Sequence, residues 1–291
     1  MILKQLRRYY FSKFSIVIGI LLSVITVIGY YFVHLSNEWL FALVNANASN
    51  LNVHRLTDLV DSFANGIFYF ENLVHFSNHE FAFLFWNVAM ICFGVFLGAQ
   101  TFTDVQSNYG ALIMSRMSYR KYFFNTLIAQ TWYMVSYIIG FFLIVLLLSI
   151  TIIGGGFIVP AGSMMADHSL ILYLIKLFSP IFLGLSYLIP TVLIASVGGV
   201  FIKNKYILQL IPFLYIIGAP IIYVIFHELN LFYMGFIMVE HSMYELSQWL
   251  ITERSFWDFT WTILIYPTFA LSVFKGFCFV NIQKFSKEYL A

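Results

Sequence analysis

Hydrophobic positions along the chain gather into six long runs, at residues 14–35, 81–101, 123–152, 171–202, 206–227 and 257–280. A helix needs about 20 apolar residues to cross the hydrocarbon layer of a bilayer, and each run reaches that length. Lipid offers no partner to backbone N–H and C=O groups, so each run is predicted to be helical. The pattern predicts an all-α integral membrane protein, with six transmembrane helices in a single domain over residues 1–291. The polar stretches leave outer loops at 36–80, 153–170 and 228–256.

Shorter patterns fill the gaps. Residues 2–13 read as an amphipathic helix, with Ile2, Leu3, Leu6, Tyr10 and then Phe14 at three- and four-residue spacing. Lys4, Arg7, Arg8 and Lys13 occupy its other faces. Such a helix lies in the membrane interface with its cations toward anionic headgroups; a plain basic tail that sets topology is the alternative. In the first outer loop, Leu56, Leu59, Val60, Phe63 and Ile67 share one helical face and predict a short surface helix. Residues 229–239 form an apolar run too short to span, closed by Glu240, which predicts a re-entrant outer hairpin between spans five and six. Pro180 and Pro190 in the fourth run, and Pro212 and Pro220 in the fifth, predict bends or breaks. Gly154, Gly155 and Gly156 predict a flexible outer turn.

Charge adds an orientation. Lys4, Arg7, Arg8 and Lys13 precede the first run; Arg116, Arg120 and Lys121 follow the second; Lys203 and Lys205 follow the fourth; Lys275, Lys284 and Lys287 close the sixth. The opposite gaps hold Arg55 and Arg254, with Lys176 just inside the fourth run. Lys and Arg concentrate in cytoplasmic loops, so both termini are expected inside. The net charge is only +2, with no basic surface that would suit nucleic acid. The chain is 10% charged, against about 25% for soluble domains, which excludes a pair of soluble domains.

The most informative local stretch is the cytoplasmic segment 102–122 between spans two and three. It opens with Asp104, passes through Gly110, carries an apolar turn with Leu112 and Ile113, and closes with Ser115, Arg116, Arg120 and Lys121. A short helix here would present a docking knob to a cytoplasmic partner; an ordinary basic loop is the alternative. The segment resembles the coupling-helix region of ABC-2-type exporter permeases. The wider layout is also similar: six spans, termini inside, an interfacial N-terminal helix and a re-entrant outer hairpin. Asp104 stands where that family often has Glu. Within the family, size and aromatic content are similar to those of permeases of staphylococcal exporters of amphipathic peptides, such as phenol-soluble modulins.

The resemblance implies a bacterial plasma-membrane permease built from two copies, a homodimer or a heterodimer, with two ABC ATPase subunits docked at Asp104, Gly110, Leu112, Ile113, Ser115, Arg116, Arg120 and Lys121. No Gly-x-x-x-x-Gly-Lys-Ser/Thr element occurs in the sequence, so ATP and Mg are expected on the partner ATPase, with no cofactor on this chain. The implied cargo is apolar or amphipathic, a peptide first and a lipid or drug-like compound next. The competing class is an anchoring, sensing or immunity subunit that docks an ATPase and moves nothing. An intramembrane enzyme is disfavoured, because no His-Glu-x-x-His or Gly-x-Ser-x-Gly element is present.

Few remaining residues carry chemistry. Cys92 and Cys278 sit in predicted spans, where a thiol acts as a small hydrophobe, and no disulfide framework is indicated. His75 and His79 are one helical turn apart, a spacing metals use, but no further ligand motif accompanies them and no metal is expected. Lys176 either faces an internal cavity or snorkels to the outer interface. The 20% aromatic fraction suits interfacial belts, to which Tyr9, Tyr10, Tyr30 and Tyr31 are assigned, or a large cavity lined by Phe, Tyr and Met.

Overall fold

A computed structural model describes residues 2–46, 65–75, 79–98, 118–154, 170–197 and 204–228, with isolated positions at 100, 103, 104, 275, 276, 278 and 280. Every described element is helical. In chain order these are α1 (Ile2–Tyr10), α2 (Lys13–Ala46), α3 (Gly66–His75), α4 (His79–Phe93) with a π turn at Gly94–Gly98, α5 (Tyr119–Ile153), α6 (Leu170–Val197) and α7 (Lys205–Glu228). Four stretches, Lys13–Leu35, Tyr119–Ile153, Leu177–Val197 and Tyr206–Ile225, are long and apolar enough to cross a membrane, and Leu84–Gly98 adds a shorter apolar helix. The predicted sixth span, apart from its isolated positions, and the predicted hairpin at 229–239 lie outside the described residues.

The predicted interfacial helix is divided. α1 ends at Tyr10, and the chain turns through Phe11 and Ser12 before Lys13 opens α2. Ser12 and Ser15 hold the turn: their hydroxyls donate to the Tyr9 carbonyl at 2.8 and 2.6 Å. Those bonds satisfy a carbonyl that a helix end leaves orphaned. α2 then runs to Ala46, 11 residues beyond the apolar run that predicted it. That extension shortens the expected first loop, since helix continues through 36–46, whose run from Trp39 to Val44 is apolar.

α3 overlaps the expected surface helix only at Ile67; Leu56, Leu59, Val60 and Phe63 lie outside the described residues. Asn65 caps α3, with Oδ1 accepting the N–H groups of Ile67 at 2.8 Å and Phe68 at 3.4 Å. Its side chains are buried: Phe70, Leu73 and Val74 are 0–1% exposed and Glu71 is 4%. The Gly66 N–H donates to the Gly154 carbonyl at 2.9 Å, which joins the start of α3 to the end of α5. A Cβ on Gly66 would collide with the Ser149 backbone, so only glycine permits this approach. Gly154 itself has φ +99°, which ends α5 where other residues would be strained. Phe70 reaches the Phe142 ring at 6.4 Å, about 16 Å from the Ile153 end of α5 at helical rise. The buried faces of α3 therefore fill space among α2, α5 and α6.

α5 organises the bundle. At 35 residues it extends about 52 Å. Phe142 takes Phe85 at 5.0 Å and Trp86 at 6.2 Å, and Tyr133 takes Phe93 at 5.7 Å and Phe96 at 6.1 Å. Between lipid-immersed helices the hydrophobic effect contributes little, so close packing of such rings carries the association. Small residues allow it: the Trp86 indole lies where a Cβ on Gly184 would sit.

The two prolines of α6 and the two of α7 stay inside continuous helices, so neither element is broken. The irregularity falls instead in the second run, at the π turn. Gly94-x-x-x-Gly98 gives that helix two bare positions, and the Pro212 ring of α7 fills the space beside Gly94. The widened turn exposes carbonyls that neighbours satisfy: Gln209 Nε2 donates to Val95 at 3.1 Å and Gln130 Nε2 to Leu97 at 3.4 Å.

Candidate functional site

Two features of the described residues have geometry that could serve a function: a junction at the basic end of the bundle, and a long cleft between α2 and α5.

The junction forms where α1 lies against α5. Arg8 Nη1 donates to both carboxylate oxygens of Asp104 at 2.9 Å. The two side chains differ in burial, with Arg8 48% exposed and Asp104 8%. Burial pushes the Asp104 carboxyl above its usual range, while the Arg8 guanidinium and the Tyr122 hydroxyl act against that shift. One turn earlier, Gln5 Nε2 donates to Thr126 Oγ1 at 2.8 Å inside the contact. Tyr9 is 1% exposed and packs on Tyr133 at 5.5 Å and Phe96 at 6.2 Å. Tyr9 is thus a core residue, which corrects its assignment to an interfacial belt. α1 is amphipathic because its apolar and amide face meets protein, leaving its other cations outside.

The structure brings some predicted site residues together. Asp104 and Arg8 pair, although their separate roles in the coupling segment and the interfacial helix do not predict it. Lys4, Arg7 and Lys13 are exposed, and the Arg7 guanidinium sits 5.9 Å over the Phe11 ring. Arg120 and Lys121 are exposed in the first turn of α5, where no acid is present. Cations are disfavoured at a helix N-terminus, so the helix dipole does not account for this placement. Gly110, Leu112, Ile113, Ser115 and Arg116 lie outside the described residues. Lys176 lies in the second turn of α6; its side chain is outside the described residues, and no described residue of α6 lines the cleft.

The cleft has a volume of about 910 Å³. It runs from Tyr10 and Ser136 at the basic end to His34, Tyr69 and Ile153 at the other. On α2 its wall is Gly19, Ser23, Thr26, Tyr30 and His34, and on α5 it includes Ser136, Tyr137, Gly140 and Ser149. The α2 residues recur at three- and four-residue spacing, and the α5 lining recurs as adjacent pairs every four residues from Ser136 and Tyr137 to Ile152 and Ile153, which places each on one helical face. Most of the hydroxyls are already engaged. Tyr137 donates to the Ser15 carbonyl at 2.6 Å and Thr26 to the Leu22 carbonyl at 2.8 Å; Tyr10 pairs with Ser136 and Tyr30 with Ser149. What the cleft offers an occupant is therefore mainly ring faces and aliphatic surface. Among the described residues, its lining contains no methionine and one phenylalanine, Phe141, against five tyrosines, where a Phe, Tyr and Met lining is expected from the sequence.

Sequence reading missed this site. The available signal was the run Gly19, Ser23, Thr26, Tyr30, His34, a small-and-polar stripe inside an apolar span. Among the described residues, no cluster of three or more His, Cys, Asp or Glu could hold a metal ion. Comparison with family models, curated proteins and solved structures found no match.

Proposed function

We propose that the chain is the membrane-spanning subunit of an ATP-driven exporter for an apolar or amphipathic cargo, a peptide foremost, working with a second copy and two ATPase subunits that carry ATP and Mg. The observation that supports this reading is the attachment of both ends of segment 102–122 to α1. Asp104 at one end is held by Arg8, and Thr126, just beyond the other, by Gln5. A protein that converts a push on a cytoplasmic segment into motion of its spans needs that segment stiffly joined to them. Here α1, the inner end of the second run and the start of α5 form one unit.

Leu112 would fill a groove on the ATPase and Arg116 would pair with its acids, a bidentate contact that Lys cannot make. Replacing both by alanine should leave the protein inserted, weaken its hold on the ATPase and abolish cargo-stimulated ATP hydrolysis in the reconstituted complex. A double variant that co-purifies with its ATPase and exports at the normal rate would overturn the assignment. A wild-type complex that holds its ATPase yet shows no stimulation by any amphipathic peptide would favour the anchoring role instead.

A further inference from the structure

The cleft follows α5 from Ser136 to Ile153, about 25 Å at helical rise, and its lining is mainly ring faces and aliphatic surface. Its rims belong to the lipid-facing surface: Tyr31 is 61% exposed, Ile144 58% and Ile152 78%.

Charge selects the end at which a headgroup would sit. Arg7 lies one turn before Tyr10, which closes the cleft, and Lys13 lies one turn after it. At 100° per residue, Lys13 falls on the side of α2 that carries Val27 and Tyr31, both cleft residues. Both cations are exposed. A chain from one leaflet reaches about half of the 30 Å hydrocarbon layer, so a lipid anchored at this end would occupy more than half of the cleft.

We infer that the cleft between α2 and α5 is a binding site for an anionic phospholipid of the leaflet at the α1 end, with its acyl chains against Gly19, Tyr137 and Gly140 and its phosphate at Arg7 and Lys13. This goes beyond the export reading and does not depend on it, because the site is complete in one chain without ATPase. Gly140 keeps the wall open: a Cβ there meets no atom within 4 Å. The same holds at Gly218 on α7, outside the cleft, which supplies a control.

The test uses the purified full-length chain in nanodiscs of phosphatidylcholine containing a trace of spin-labelled phosphatidylglycerol or spin-labelled phosphatidylcholine. The wild-type chain should immobilise the phosphatidylglycerol probe about 30-fold more strongly than the phosphatidylcholine probe, as two cations near a headgroup imply. Arg7→Gln with Lys13→Gln should erase that preference. Gly140→Phe should remove the immobilised component for both probes, while Gly218→Phe should leave it unchanged. Equal immobilisation by wild type and Gly140→Phe, or no headgroup preference in wild type, would overturn the proposal. So would a wild-type spectrum without the component, which is the result expected if a second copy of the chain covers the cleft.

Discussion

Breaking the Arg8–Asp104 pair should undock α1, and the two single substitutions should differ. The pair lies between two regimes. Exposed ion pairs contribute about 0.2–1 kcal/mol, whereas removing one partner of a fully buried pair costs about 3–5 kcal/mol. With Asp104 8% exposed and Arg8 48%, Arg8→Gln leaves a buried carboxylate without its cation, at an expected cost of about 2 kcal/mol. Asp104→Asn leaves a guanidinium that water already reaches, and should cost about 0.7 kcal/mol. The double variant should cost less than the sum. A suitable assay is the labelling rate of Gln5→Cys, a buried position, in a background where Cys92 and Cys278 are alanine, normalised to an exposed cysteine. At about 1.4 kcal/mol per tenfold, labelling should rise about 30-fold for Arg8→Gln and about threefold for Asp104→Asn. Burial holds the Asp104 carboxyl above its usual range, so protons bind the docked state more tightly than the open one. Docking should thus strengthen as pH falls through that raised value, and more steeply in Arg8→Gln, where the opposing guanidinium is gone. Equal effects of the two single substitutions, or strict additivity in the double variant, would refute the reasoning.

Two further outcomes test the frame. Gly94→Ala would press a methyl into the Pro212 ring, and overpacking of this kind costs about 1–3 kcal/mol; thermal denaturation in detergent should show the loss, and Gly218→Ala should not. Cysteine at Asn47 should react with an impermeant thiol reagent added outside and cysteine at Asn108 should not; the reverse pattern would invert the topology.

What the sequence reveals here is mostly the length of the helices. The span at 123–152 needs only its run of apolar residues, and α5 contains it. Contacts between distant residues were not legible. Arg8 and Asp104 are 96 positions apart, and nothing in either neighbourhood points to the other. Burial of α3 was hidden because its apolar residues suit either a surface face or a buried helix, and only Gly66 against Ser149 decides between them. The π turn had a readable cause in Gly94 and Gly98, but two glycines four apart signal close approach rather than the widened turn that Gln130 and Gln209 stabilise. The aromatic residues misled most. In a membrane chain, belt tyrosines and core tyrosines look alike, and Tyr9 and Tyr133 became core only because helices met there.

The length of α5 has a mechanical consequence. No proline interrupts its 35 residues, and rings hold it to α4 at two levels, Phe142 against Phe85 and Tyr133 against Phe93. The two levels are about 14 Å apart at helical rise. A rod held at two levels resists pivoting about either one, so a displacement at its basic end would carry α4 with it. The hydrogen bond from Gly66 to Gly154 would take α3 along as well, and the three helices would move as one body without any helix changing its internal structure.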